Sequence, residues 1–289
     1  MIRNLHILGM LLVIITIILV FSALPSAYST AVKAQDQSAG IEKSSKLCGE
    51  LQHRGSGFEQ LAKVCQYAMT TPQTLPDFVC TETVKQYLAP KQKPEIIQAE
   101  LSIEKTRSHY AAVAVNGKIK PGYDKTGDIL FEELVGSSGE FAMLFNVFDT
   151  SSHAEFAPPV DAALDHKRLK RYDFRIKREN NLSWTWFFAD TAINPGYHGS
   201  IFVDTATGKI FRLAVQVSSD ELDLQTPVSD ATTTIDYDDV SIAGAGTHHV
   251  PVRGESISCF RILKGCTRAQ LTFGNFHKFG ATARVLPAP

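Results

Sequence analysis

The chain has 289 residues, of which 44% are hydrophobic and 20% are charged, and its 29 Lys and Arg residues nearly balance 30 Asp and Glu. This composition is typical of a globular protein with a substantial core. It argues against a disordered tail, a coiled coil, a multi-span membrane protein and a nucleic-acid-binding protein that relies on a cationic surplus. Phe is frequent, with 17 residues against two Trp, so the fold must bury many aromatic rings.

The first 34 residues have the order of a secretory signal. Arg3 and His6 precede the apolar run 7–23, and small and turn-forming residues follow to Ala34. We predict a cleaved signal peptide over 1–34 and an extracytoplasmic protein, periplasmic or secreted. An uncleaved anchor is the alternative, because the run is at the lower limit of the roughly 17 to 25 residues of a spanning helix. Membrane contact is expected only through this segment, if it is retained.

The five cysteines are Cys48, Cys65, Cys80, Cys259 and Cys266. An oxidising compartment permits disulfides among them. Cys259 and Cys266 are close enough to bridge the ends of one loop, and Cys65 could reach Cys80 where a helix turns back onto a strand. We predict these two pairs, with the fifth cysteine left as a buried, inert thiol.

Two helices are predicted, and the first belongs to a helical N-terminal segment around 42–70. It begins at the capping box Ser56-x-x-Glu59 and is expected to end before Thr70. Its apolar positions are Phe58, Leu61, Val64, Cys65 and Met69. The second begins at the capping box Ser137-x-x-Glu140, and its apolar stripe consists of Phe141, Leu144, Phe145 and Phe148.

Strands dominate the rest of the chain. From Phe78 the period of apolar residues changes to two, and Asn116-Gly117 is a strong hairpin signal. In the second half, apolar residues alternate with polar ones in three series: Tyr172, Phe174 and Ile176; Trp184, Trp186 and Phe188; Phe211, Leu213, Val215 and Val217. Such alternation favours antiparallel sheets with one covered face. We therefore predict that 35–289 form a single α+β domain, a long, curved, half-barrel-like antiparallel sheet with about two helices packed on its concave apolar face.

One hairpin carries a family resemblance. The segments Tyr197–Asp204 and Thr207–Arg212 resemble the strand, tight turn and strand of the periplasmic lipoprotein-carrier superfamily. With 75–81, 136–141 and 271–279, the chain also resembles a group of secreted bacterial proteins of unknown function. The resemblance implies an unclosed barrel whose apolar concave face is covered by helices and holds acyl chains or a protein segment. It identifies no individual ligand-binding residue.

No motif predicts an enzyme, so we expect no catalytic residue, no metal and no cofactor. The segment Gly136–Gly139 lacks the fifth position of G-x-S-x-G, and no His spacing suits a zinc site. Phosphate-binding Gly loops and dinucleotide fingerprints are absent. The acidic residues Asp236, Asp238 and Asp239 are interpreted as a solvated strand edge and the basic residues between Lys167 and Arg178 as a solvated strand face.

These observations favour a secreted or periplasmic non-enzymatic binding protein that carries a lipid, a lipoprotein or another apolar ligand. Its predicted site is lined by Phe141, Phe145, Trp184, Trp186 and Phe211, although the same residues would form the core if helix and sheet close tightly. The alternative is an envelope scaffold that binds a protein through an open sheet edge. A hydrolase is the third hypothesis. No nucleic-acid partner is expected.

Overall fold

The computed structural model of the protein describes residues 46–87, 93–104, 107–120, 140–181, 184–188, 191–217, 221–222, 226, 228–261 and 265–279. The predicted signal segment 1–34 lies outside these residues. All described residues belong to one compact unit, Lys43–Pro289.

Three helical segments are described: α1 at 46–53, α2 at Glu59–Thr74 and α3 at Glu140–Phe148. Two short 3-10 helices lie at Thr150–Ser152 and Arg178–Asn180. The capping prediction for α2 was wrong, because its N-cap residue is Phe58, and the Glu59 carboxylate accepts a hydrogen bond from the Gly57 N–H at 2.8 Å. The helix also continues through Pro72. In that last turn the Thr71 hydroxyl donates to the carbonyl of Tyr67 at 2.7 Å, which supports the turn.

Fourteen strands account for most of the described chain. They are β1 (Phe78–Tyr87), β2 (Glu95–Glu104), β3 (Arg107–Val115), β4 (Lys118–Ile119), β5 (Glu155–Phe156), β6 (Val160–Leu164), β7 (Lys167–Ile176), β8 (Trp186–Phe188), β9 (Thr191–Ile193), β10 (Tyr197–Asp204), β11 (Ile210–Val217), β12 (Val228–Ile242), β13 (Gly246–Phe260) and β14 (Gly265–Lys278).

Twelve of these strands form one antiparallel sheet in the order β4-β3-β2-β1-β14-β13-β12-β11-β10-β7-β5, with β6 also paired to β7. Strands β8 and β9 form a separate hairpin. The first strand lies beside the last, since Phe78 of β1 is opposite Lys278 of β14. The sheet is not closed, so the predicted α+β, half-barrel-like antiparallel fold is confirmed.

The helices cover one face of the sheet, which we call the inner face, and its buried side chains form two clusters. The larger cluster joins α1, α2 and α3 to β7, β10, β11 and β12. The smaller cluster joins β1, β2, β3 and β14. Helix α3 contributes to both, because Phe141 packs against the smaller cluster and Phe145 against the larger one. Within the described residues, no helix combines the length and apolarity that a membrane crossing requires.

Two disulfides are present. Cys259 and Cys266 are opposite each other on β13 and β14 and are bonded, as predicted. The predicted bond between Cys65 and Cys80 was wrong, because Cys65 is bonded to Cys48 and Cys80 is a buried free thiol. The reason is long-range packing: α1 and α2 lie against each other within the larger cluster, whereas Cys80 belongs to the smaller one.

Candidate functional site

The space between α3 and the sheet is a packed core that contains a small cavity. The cavity has a volume of about 20 Å³, close to the room that one water molecule needs. Its walls come from α2, α3, β12 and β13. They are formed by Tyr67, Ala68, Thr71, Pro72, Leu75, Phe141, Leu144, Phe145, Tyr237, Val250 and Pro251.

Two of the five predicted ligand-binding residues, Phe141 and Phe145, lie together at this cavity. Both are half-buried, in contrast to the fully buried Phe148 at the other end of α3. The Phe141 ring lies edge-on to two rings of the sheet, with centroids 5.6 Å from Phe78 and 5.1 Å from Phe273. Helix α3 therefore contributes two half-buried aromatic side chains to the cavity wall.

The structure does not bring Trp184 or Phe211 to the cavity. Trp184 is half-buried and contacts Tyr197 edge-on at 5.0 Å, at another edge of the larger cluster. Trp186 lies on β8, and its side chain is outside the described part. Phe211 lies on β11 where the pairing register with β10 shifts, and it belongs to neither cluster. The Lys167 ammonium group lies 4.9 Å from the centroid of its ring. The β-bulge, which alternation cannot show, separates Phe211 from Leu213 and Val215.

Tyr237 lies in the wall of the cavity and has a buried hydroxyl group. Its side chain is only 5% exposed, and its hydroxyl has no hydrogen-bond partner among the described residues. Burial raises the pKa of Tyr237 well above the ordinary value, with smaller contributions from Tyr67 and Glu140. Tyr67, by contrast, donates its hydroxyl hydrogen to the carbonyl of His249. An orphaned buried hydroxyl is costly and points to a missing partner.

A buried carboxyl group lies close to the N-terminal end of α3. Glu82 is on the inner face of β1, is 1% exposed, and neither of its carboxyl oxygens has a hydrogen-bond partner among the described residues. The pKa of Glu82 is raised to about 8. Burial is the largest cause, and the charge of Glu140 is the second. The Tyr110 hydroxyl is close enough to oppose this shift, but the pair lacks the geometry of a hydrogen bond.

Glu140 is the first residue of α3 and is also 1% exposed. Its charge contributes to the raised pKa of Glu82, of Tyr110 and of Tyr237. We call Glu82, Tyr110, Glu140 and Tyr237 the buried polar cluster. Three of its members lie on β1, β3 and β12, and the fourth begins α3.

The sequence interpretation missed this cluster, although one signal was available. Every second residue of β1 faces the inner side of the sheet. Phe78, Cys80 and Val84 belong to this series, and so does Glu82. A carboxylate at a covered position of a sheet is uncommon without a charged partner. Glu140 was interpreted only as part of a capping box.

The outer face of the sheet carries charged side chains, and several of them are paired. The interpretation of Asp236 as part of a solvated edge was wrong, since it is 7% exposed and lies between its two cross-strand neighbours, Arg212 and Arg253. Each arginine donates from Nε to a different carboxylate oxygen of Asp236 at 2.5 Å. Burial alone would raise the pKa of Asp236, but the two arginines more than offset it, and the pKa is lowered.

Four of the five basic residues of β7 are paired as well. Lys167, Lys170, Arg171 and Arg175 lie 3.6, 2.6, 3.0 and 3.5 Å from carboxylate oxygens of Asp204, Asp161, Asp173 and Glu221, respectively. This pairing neutralises much of the positive charge on the strand.

An open groove of about 450 Å³ crosses the outer face over β7, β10 and β11. It contains His198 and Ser200, the residue types of a hydrolase. The Ser200 hydroxyl, however, donates to Asp173 at 2.6 Å, while the His198 Nδ1 lies 3.2 Å from Glu221. The two side chains therefore have different partners and do not form a nucleophile and base pair. Among the described residues, no group of three or more His, Cys, Asp or Glu side chains is arranged to hold a metal ion.

Comparisons with known proteins give distant structural likeness only. No protein family and no curated protein matches the sequence. Among solved structures, the chain is similar to a putative outer membrane lipoprotein-sorting protein domain from Vibrio parahaemolyticus, with a TM-score of 0.40 and 7% identity over 74% of this chain and 90% of that one. It is also similar to MucB in complex with MucA(peri), with a TM-score of 0.20 and 8% identity over 76% of this chain and 93% of that one. Neither likeness carries an argument about function.

Proposed function

We propose that the protein is an extracytoplasmic, non-enzymatic binding protein that holds an apolar ligand between α3 and the sheet. The observation that carries the proposal is the cavity beneath Phe141 and Phe145, with an unpartnered hydroxyl of Tyr237 in its wall. Small-molecule sites are usually apolar and contain a few polar groups, and this arrangement has both features. The two disulfides support a compartment outside the cytoplasm, where such bonds persist.

A cavity of about 20 Å³ is too small for a lipid, so binding requires side chains to move. Helix α3 has nine residues, and its two ends differ in burial. Val147 and Phe148 are fully buried and anchor the C-terminal end, whereas Phe141 and Phe145 are half-buried. Rotating a half-buried ring exposes less new apolar surface than moving a buried one. We expect the N-terminal half of α3 to open while its C-terminal half stays in place.

The test compares the protein with a variant in which the cavity is filled. Phe145→Trp adds volume to the cavity wall, so it should weaken binding of the neutral apolar dye N-phenyl-1-naphthylamine about tenfold or more. The matched control is Phe211→Trp, at the bulge outside both clusters, which should leave dye binding unchanged. Fluorescence titration of the dye gives the affinities.

Native mass spectrometry of the purified protein should also show a bound apolar molecule. Equal dye binding by the two Trp variants would contradict the proposed location. Absence of dye binding to the unmodified protein, together with absence of a bound molecule, would contradict the function itself.

The free edge of β3 favours a second function, in which a protein segment adds a strand to the sheet. Strand β4 pairs only with Ala114 and Val115, so the preceding part of β3 has no strand on that side among the described residues. Ile119 on β4 is 75% exposed. A photo-crosslinker at Ile119 should then capture one defined envelope protein, and a crosslinker at the exposed Lys46 should not.

A further inference from the structure

We propose that His249 is a positioning residue that keeps the cavity at its small volume while its imidazole carries two protons, and lets the cavity expand when the second proton leaves. The inference rests on the proposed function and adds its regulation by pH. It is carried by the contacts of one ring. Both nitrogens of His249 face hydrogen-bond acceptors, and the ring lies against two tyrosines of the cavity wall, Tyr67 and Tyr237.

The first step is the number of protons on the ring. The Nδ1 of His249 lies 2.9 Å from Oδ1 of Asp239, and its Nε2 lies 2.7 Å from the carbonyl oxygen of Ile210. A carboxylate and a carbonyl only accept hydrogen bonds, whereas a neutral imidazole has a single N–H to donate. Both bonds form together only when the ring is an imidazolium, so the observed geometry is that of the doubly protonated ring.

The second step is the set of charges around the ring. Asp239 stays a carboxylate, because Lys209 Nζ lies 2.9 and 2.7 Å from its two oxygens and its pKa is lowered, first by Lys209 and then by His249. Among the described residues, the other titratable side chains against the ring are Tyr67 on α2 and Tyr237 on β12. Burial raises the pKa of Tyr67 to about 12 and that of Tyr237 well above its ordinary value, so both phenols stay neutral. The imidazole is therefore the group here whose charge changes near neutral pH.

The third step is the connection to the cavity wall. The ring of Tyr237 stacks on the imidazole, with centroids 6.1 Å apart and an angle of 24° between the planes, and Tyr67 lies edge-on at 5.8 Å. Tyr67 also donates its hydroxyl hydrogen to the carbonyl of His249. The face of Tyr237 attracts a charged imidazole more strongly than a neutral one. His249 thereby holds two wall side chains, one on α2 and one on β12, in the closed arrangement.

The fourth step is the consequence of losing the second proton. The neutral ring keeps one N–H and turns a nitrogen lone pair toward the other acceptor. The bond to Asp239 is the stronger one because its acceptor is charged, so the bond to Ile210 is lost. The described pairing of β11 with β12 begins at Arg212, so the Ile210 carbonyl lies just outside that ladder and His249 connects it to β13. Without this connection the ring is free to turn away from the two tyrosines, and the cavity can expand around a ligand.

The experiment measures the affinity for the neutral dye N-phenyl-1-naphthylamine by fluorescence titration at about pH 5 and about pH 8, the range in which histidine changes charge. We expect the unmodified protein to bind the dye about fivefold or more tightly at the higher pH. His249→Phe keeps a ring but no titrating nitrogen, and should bind the dye equally at both pH values. The matched control is His248→Phe, at the neighbouring position of β13, where Nε2 lies 3.0 Å from the carbonyl of Ala245; it should keep the pH dependence. Glu82, whose pKa is about 8, is present in both variants, so the difference between them isolates His249.

Asp239→Ala is a second variant, in case His249→Phe does not fold. Without the carboxylate, a neutral ring can donate its one N–H to Ile210, so the closed arrangement no longer needs the second proton. The affinity of this variant should stay at both pH values at the low value that the unmodified protein has in acid.

Nitrogen NMR gives a readout that does not depend on the dye: the ring of His249 should have the chemical shifts of an imidazolium in acid and of a neutral imidazole at the higher pH. A neutral ring in acid would overturn the inference. Equal dye affinities of the unmodified protein at the two pH values, or a pH dependence that survives in both His249→Phe and Asp239→Ala, would overturn it and leave the proposed function in place. Failure of the dye to bind at either pH contradicts the proposed function instead.

Discussion

Asp236 and Glu82 are both acidic residues on long strands of the same sheet, and both are almost completely buried. Asp236 is on the outer face, where Arg212 and Arg253 hold it as a carboxylate and lower its pKa. Glu82 is on the inner face, where no basic side chain accompanies it among the described contacts and burial raises its pKa.

The difference shows that burial alone does not decide the role of a carboxyl group. Asp236 has the partners that offset its desolvation, so it is part of the structure of the sheet. Glu82 has a desolvation cost that, among the described residues, only the nearby Tyr110 hydroxyl opposes, and groups with such perturbed pKa values cluster at functional sites. The predictions below test this contrast.

The largest expected effect concerns Cys80, which precedes Glu82 on the inner face of β1. The pKa of Cys80 is raised to about 12, mainly by burial and secondly by the charge of Glu82. Its thiolate fraction should then be about a thousandfold lower than that of an exposed thiol, so iodoacetamide should not alkylate the native protein at mildly alkaline pH. Mass spectrometry should show a single alkylated thiol after unfolding. Rapid alkylation of native protein would mean that water reaches the inner face and that Glu82 is not desolvated.

The next effect concerns the outer face. Asp236→Ala removes the shared acceptor of Arg212 and Arg253 and should lower the free energy of unfolding by about 2–3 kcal/mol, measured by urea denaturation. The matched control is Asp161→Ala. Asp161 lies 2.6 Å from Lys170, but its side chain is 87% exposed, so its loss should cost less than about 0.5 kcal/mol. Equal losses in the two variants would show that Asp236 is no more structural than a surface ion pair.

The smallest effect is a difference in pH dependence. The pKa of Glu82 is raised from 4.5 to about 8, so between these values the native state binds more protons than the unfolded chain. The contribution of Glu82 to stability is therefore present below about pH 4.5 and is lost as the pH rises toward about 8. Asp236 has the opposite sign, because its lowered pKa contributes stability above 3.8 that is lost as the pH falls.

Glu82→Gln should remove this pH-dependent loss of stability, so the unfolding free energy of the variant should fall less steeply than that of the unmodified protein between pH values of about 5 and 8. Urea denaturation across the pH range measures it. Parallel curves for the two proteins would show that Glu82 is ionised in the native state.

Much of the architecture was predictable because it depends on local patterns. The series Tyr172, Phe174 and Ile176 is buried on one face of β7 as the alternation predicts, and the stripe of α3 packs on the sheet. The candidate site was predictable only in part. Phe141 and Phe145 share a helix and meet at the cavity, whereas recognising that Phe211 does not join them required knowledge of the bulge in β11.

The sequence by itself determined the fold class, because apolar periodicity is a local property that specifies which side of each strand and helix is buried. Only the tertiary structure decided which buried groups meet. The bond from Cys65 to Cys48, the arginines around Asp236 and the absence of a described partner for Glu82 all depend on contacts between distant segments. Such contacts follow from strand order and helix packing, which periodicity does not encode.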